Sequence, residues 1–170
     1  MDYRKEYEKW LASPALSEDE RAELRALEGN DKEIKARFYG PLEFGTAGLR
    51  GTMYTGLHNM NRHVIRWATQ GFANVIRAEG TEAMQKGIAV CMDCRNHSAE
   101  FARETACVMA ANGIHVRLFE SLRPTPELSF AVREYGCQAG VNVTASHNPK
   151  EYNGYKVYWA DGAQLPPQHA

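Results

Sequence analysis

The most informative stretch of the chain is Thr144-Ala145-Ser146-His147-Asn148-Pro149. It continues the small and β-branched run 139–143, which reads as a buried strand. A serine that leaves such a strand into a polar turn has an exposed hydroxyl. The adjacent His147 moves protons near neutral pH. Pro149 and Asn153-Gly154 restrict the loop, and Lys156 returns a cation toward the same end. These residue types in this order suit a nucleophilic or phosphate-carrying serine. The Ser-His pair by itself is also what a purely structural cap looks like, and that is the commoner role.

Three further clusters carry polar chemistry. Residues 44–51, Phe-Gly-Thr-Ala-Gly-Leu-Arg-Gly, place glycines at 45, 48 and 51, where positive φ and close backbone approach are permitted. Arg50 in that setting can neutralise an anion, or it can be a surface strand residue. Asp93-Cys94-Arg95-Asn96-His97-Ser98 offers an acid and a base that can pair and hold a loop. Arg123-Pro124-Thr125-Pro126 opens a helix. Cys91 and Cys94 have redox spacing, but Cys91 falls inside a strand, so buried strand-end thiols are the better reading. Zinc on Cys91, Cys94 and His97 lacks a second ligand pair. Tyr152, Tyr155, Tyr158 and Trp159 have no basic patch for base stacking, and core and hairpin packing explains them better.

The elements that must position these clusters can be read from periodicity. Tyr3, Tyr7, Trp10 and Leu11 fall at helical spacing, and Ser13-Pro14 ends that helix. Ser17-Glu18-Asp19-Glu20 reads as a cap, followed by two short helices around Gly29-Asn30. A helix over 61–79 is capped near Asn61. Strands are expected at 87–92, 114–119, 139–145 and 155–159. Ser98 is expected to cap a helix running to Asn112-Gly113, and a further helix ends near Tyr135-Gly136. Helices between short apolar strands predict an α/β fold: a three-layer α/β/α domain with a mostly parallel mixed sheet, preceded by a helical arm. The arm is expected over 1–39 and the domain over 40–170. Ligands of such sheets collect at the carboxyl ends of the strands, where three of the polar clusters lie.

The serine stretch, with Asn153-Gly154-Tyr155-Lys156, closely resembles the phosphoserine loop of the α-D-phosphohexomutases. Residues 44–51 are similar to that superfamily's N-terminal signature. Asp93-x-Arg95-x-x-Ser98 resembles its acid-arginine-serine turn, and Arg123-Pro124-Thr125-Pro126 its Thr-Pro turn. The four motifs stand in family order over 40–160, and the arm resembles the phosphoglucomutase and phosphopentomutase branch. The resemblance implies a serine that passes a phosphoryl group to a sugar monophosphate and regains one from the bisphosphate. Carried over, Ser146 is the phosphoserine. His147, Lys156 and Arg50 are then catalytic. Thr144, Asn148, Gly48 and Arg123 contact phosphate or substrate, and Asp93 and Arg95 support the loop.

The same resemblance implies Mg²⁺, with the Ser146 phosphate as one ligand, and glucose 1,6-bisphosphate as activator. The family's Asp-x-Asp-x-Asp metal loop, its sugar-reading loop and its distal phosphate loop have no counterpart here. The expectation is therefore a first domain whose partners are a sugar phosphate and domains two to four of the longer protein, inactive alone. Alternatives are a phosphopentomutase, a glucose 1,6-bisphosphate synthase, or a noncatalytic phosphate-binding or interaction domain.

Composition bounds these readings. The chain has 170 residues, with 20 Lys plus Arg against 21 Asp plus Glu, for a net charge of −1. That balance disfavours nucleic acid or an anionic membrane as partner. No apolar run approaches the roughly 20 residues needed to span a bilayer. The first residues lack a signal-peptide core, and the four cysteines are unevenly spaced. A cytoplasmic protein with reduced thiols is expected.

Overall fold

The structure is a computed structural model and describes residues 1–45 and 48–165. Thr46 and Ala47 of the glycine-rich motif and the terminal 166–170 lie outside the described residues.

The first three helices start where the sequence provides caps. The Asp2 side chain accepts from the backbone N–H groups of Arg4 and Lys5 at the head of α1 (Tyr3–Leu11). Ser17 and Glu20 form a reciprocal capping box on α2 (Glu18–Arg25), and Asn30 caps α3 (Asp31–Phe38). Their apolar faces bury Leu16, Leu24, Ile34 and Phe38 together with Leu57 from the next loop. Glu20 then accepts from Arg62 and faces His63 at the following helix, which fastens this cluster to the sheet domain.

Five strands form one mixed sheet: β1 (Leu49–Thr52), β2 (Ile88–Met92), β3 (Val116–Leu118), β4 (Ala139–Val143) and β5 (Tyr152–Trp159), in the order β1-β5-β4-β2-β3. Pairings of β2 with β3 and β4 are parallel, and those of β5 with β4 and β1 are antiparallel. The remaining helices are α4 (Arg62–Ala78), α5 (Thr81–Lys86), α6 (Ser98–Ala111) and α7 (Thr125–Glu134). The expected three-layer α/β/α arrangement is present. Ile88, Val90, Val141, Val143, Tyr155 and Val157 meet α4 and α6 on one face. Ala89, Cys91 and Tyr158 meet Leu128 and Val132 of α7 on the other. Among the described residues no helix is long and apolar enough to cross a membrane.

Several local readings need correction. Residues 49–52 form a strand that alternation could not reveal, because four residues with a central glycine gain their ladder only from β5. Helix α5 has six residues and no side-chain cap, too little periodicity to detect. Strand β3 covers only three of the six expected residues. Ser98 is not the cap of α6: His97 holds that position in a left-handed conformation (φ 60°). Ser98 is instead the first helical residue, and its buried hydroxyl donates to Asp93 at 2.9 Å. The hydroxyl donates to that carboxylate and accepts from Asn153, so both its roles are filled away from the helix's own N–H groups.

Candidate active site

Strand alternation sorts the polar residues by face. Leu49, Tyr155, Val141 and Val143 belong to the α4–α6 core, so Arg50, Lys156, Asn142 and Thr144 lie on the α7 side. Two glycines let the strands close up at this end. A Cβ on Gly48 (φ 91°) would stand 2.0 Å from the Tyr155 carbonyl oxygen. One on Gly154 would stand 2.6 Å from the Thr144 carbonyl oxygen and 2.9 Å from that of Leu49. Both contacts are with backbone, so no rotamer change relieves them. Their consequence is that Arg50, the serine turn and Lys156 come together on the neighbouring strands β1, β4 and β5.

Ser146 follows β4 and is exposed. Its φ of 58° is left-handed, which a non-glycine residue holds only when its surroundings fix it. Two groups do so. The Ser146 N–H donates to the Thr144 hydroxyl at 3.0 Å, and Arg95 grips the other side of the loop. The Arg95 guanidinium donates to the carbonyl oxygens of Ser146 (2.9 Å), Asn148 (2.7 Å), Pro149 (2.9 Å) and Tyr152 (3.0 Å). Asp93 holds Arg95 in turn. Its carboxylate accepts the Arg95 N–H at 3.0 Å and lies 3.5 Å from the guanidinium Nε. Buried Ser98 donates to Asp93, and buried Asn153 on β5 donates to Ser98 at 3.0 Å and to the Asn96 carbonyl at 3.0 Å. A continuous chain of hydrogen bonds therefore runs from β5 through the head of α6 to the serine loop.

The hydroxyl itself is left outside this network. His147, also exposed, brings Nδ1 to 3.4 Å from Ser146 Oγ, at the long limit of a hydrogen bond. Apo geometry of this kind commonly tightens on substrate binding. Lys156 is half-buried, and Arg50 is exposed. Among the described residues neither Lys156 Nζ nor the Arg50 guanidinium has a hydrogen-bond or ion-pair partner. Burial lowers the Lys156 ammonium from its ordinary range, Arg50 adds to that, and Asp93 opposes it. Three arginines thus stand in different states. Arg95 is spent on the loop, while Arg123 pairs with Glu127 of α7 at 3.0 Å and only its backbone reaches the Met92 carbonyl. Arg50 is uncommitted.

Asn148 contributes its carbonyl to Arg95 and its N–H to Ala145, while its Oδ1 is buried without a partner. Cys91 is buried, and desolvation pushes its thiol up to about 12, whereas Cys94 is exposed. From the sequence Asn142 was only a strand residue and Thr125 only part of the Thr-Pro turn, while Ser98 and Asn153 had only local roles. For Asn142 and Asn153 the signal was present as polar residues inside otherwise apolar buried strands.

Among the described residues no group of three or more His, Cys, Asp or Glu is placed to hold a metal ion. The arrangement presents a rigidly held loop, an exposed hydroxyl with a histidine beside it, and two uncommitted cations. Such a face can receive an anionic group on the hydroxyl and stabilise its charge.

Fold and site together define an α/β/α domain with an open polar face at the carboxyl ends of its parallel strands. Residues 41–170 match the family model described as phosphoglucomutase/phosphomannomutase, alpha/beta/alpha domain I. The chain belongs to that family, within the α-D-phosphohexomutase superfamily. It is 43% identical over 148 residues to a phosphopentomutase of Homo sapiens, covering 84% of this chain and 24% of that protein. It is also 43% identical over 136 residues to a phosphoglucomutase of Staphylococcus aureus (strain NCTC 8325 / PS 47), covering 80% and 24%. A crystal structure from Thermus thermophilus, provisionally named a phosphomannomutase, superposes with a TM-score of 0.70 at 31% identity, over 77% of this chain and 28% of that one. A phosphoglucomutase/phosphomannomutase family protein from Burkholderia thailandensis gives a TM-score of 0.61 at 26% identity, over 74% and 27%. The chain thus spans about a quarter of the length of the curated relatives it matches.

Proposed function

We propose that this chain is the phosphoryl-carrying first domain of a phosphoglucomutase-type enzyme, with Ser146 as the carrier. The observation that supports this most is the division of labour at the loop: Arg95 and Thr144 fix the Ser146 backbone while its hydroxyl stays exposed. In the forward step a sugar-phosphate hydroxyl attacks the phosphorus on Ser146. The P–Oγ bond breaks, the sugar proton leaves to a nearby base, and Ser146 Oγ is left as the alkoxide to be protonated. Return of the other phosphate from the bisphosphate reverses these events. Arg50 neutralises charge on the phosphoryl group in flight, and His147 or Lys156 moves the proton.

The described residues do not by themselves make a magnesium site, since Ser146 supplies a single oxygen. The ion's other ligands would come from the rest of a family-length protein, and when bound it would neutralise phosphoryl charge. A glucose bisphosphate would load Ser146. A phosphopentomutase reading has its own support, because relatives bearing that name match over the longer stretch at the same identity.

The test is a coupled assay with this chain alone and mixed with separately expressed later domains of a family member, given hexose or pentose 1-phosphate and the bisphosphate. Conversion is expected in the mixture and is lost with Ser146→Ala. Conversion that survives Ser146→Ala contradicts the proposal.

A further inference from the structure

Asn142 lies on β4 and is only 1% exposed. Its Nδ2 donates to the Thr125 hydroxyl at the first residue of α7 at 2.7 Å, which fixes the orientation of the amide. The other end of that amide, Oδ1, is buried without a partner. An unsatisfied buried carbonyl oxygen is costly enough that proteins rarely keep one without a use. Directly opposite on β5, in the antiparallel register, stands Lys156. Directly opposed side chains share a face and lie close enough to touch, within about 5 Å at Cβ. Two complementary deficits are therefore neighbours: an acceptor without a donor, and an ammonium without an acceptor.

We propose that Asn142 is the positioning residue for Lys156: its Oδ1 accepts from the Lys156 ammonium and sets where that group stands and when it releases its proton. The inference rests on the reading above that Lys156 works at the serine loop. Thr125 holds the acceptor in place, so α7 takes part through one hydroxyl. The charged groups that act on Lys156 are Arg50 from β1 and Asp93 after β2; Cys91 on β2 stands opposite Asn142, Tyr158 is the next residue on the same face of β5, and Glu127 of α7 is paired with Arg123. Arg50 and burial favour the neutral amine, while Asp93 favours the ammonium. Asn142 adds an acceptor, which favours the ammonium without adding charge. The balance lets one lysine serve as a cation toward phosphate and as a proton donor within the same pH range.

The test reads Lys156 directly. Amines of the 170-residue chain are labelled competitively with acetic anhydride across pH, and the Lys156 peptide is quantified by mass spectrometry. Asn142→Leu should lower the Lys156 midpoint by about one pH unit, and Asn142→Asp should raise it by at least as much. Thr125→Val, which frees the amide without touching Asn142, should lower it as well. If circular dichroism shows Asn142→Leu to be unfolded, the other two variants carry the test. A midpoint unmoved by all three substitutions overturns the proposal. So does movement in Asn142→Asp alone, which would be a charge effect only. The labelling needs no phosphoryl transfer, so failure of the Ser146 assignment would leave this result standing, and the reverse.

Discussion

The Arg95 guanidinium donates to the carbonyl oxygen of Ser146 at 2.9 Å, holding the serine's main chain and leaving its hydroxyl to solvent. An arginine that spends its donors on four backbone carbonyls cannot also bind phosphate. It acts by keeping the left-handed Ser146 in place, and the charge work falls to cations that stand free.

Removal of Arg95 should therefore loosen the loop before it affects anything else. Arg95→Ala is expected to destabilise the chain by about 2–3 kcal/mol, the scale of hydrogen bonds made by a charged group. Arg95→Lys should restore little, since an ammonium cannot span carbonyls that a planar fork bridges. Urea denaturation measures the loss, and amide exchange should quicken from Ser146 to Tyr152. Wild-type stability in Arg95→Ala would show that the loop is held by other means.

Arg50 should behave in the opposite way. It is exposed and uncommitted among the described residues, so Arg50→Ala should leave the denaturation midpoint unchanged. In the mutase-competent mixture it should lower kcat by about a hundredfold, the usual cost of one lost charge-stabilising contact. Arg50→Lys should recover part of that. Unchanged kcat and KM in Arg50→Ala would remove Arg50 from the site.

Lys156 makes a prediction about pH. Burial, then Arg50, lower its ammonium below the ordinary 10.5. Between the folded value and 10.5 the unfolded chain binds more protons, so this group's contribution to stability rises with pH across that window. Below the window the buried charge is a constant cost. Lys156→Met, similar in volume, should be more stable than wild type at neutral pH, with the gap closing as pH approaches 10.5. Denaturant midpoints at neutral and alkaline pH decide it, and a pH-independent gap would contradict the assignment.

The fold was legible where periodicity and capping agree. Ser17 with Glu20, and Asn61 at the head of α4, do what their types and spacing announce. The apolar strands β2 and β4 were equally plain, being buried along their whole length. Strand β1 was not, because its order comes from pairing with Tyr152–Tyr155, far along the chain. The motif residues of the site were visible as types, but their contacts were not. That Asp93 and Arg95 hold the loop was legible from their types; only the structure shows which four carbonyls Arg95 takes, that Arg123 turns to Glu127, and that Ser98 serves Asp93 rather than its own helix. Each of these depends on which partner lies nearest in space, which sequence spacing does not encode.

The most direct measurement is the chemical state of Ser146. The chain is mixed with the later domains of a family member and glucose 1,6-bisphosphate, and its intact mass and phosphopeptides are then mapped. One phosphoryl group is expected per chain, on the peptide that contains Ser146. It should be absent from Ser146→Ala and discharged by added sugar monophosphate. A phosphoryl group on another residue, or one on Ser146 that sugar phosphate cannot remove, would contradict the account.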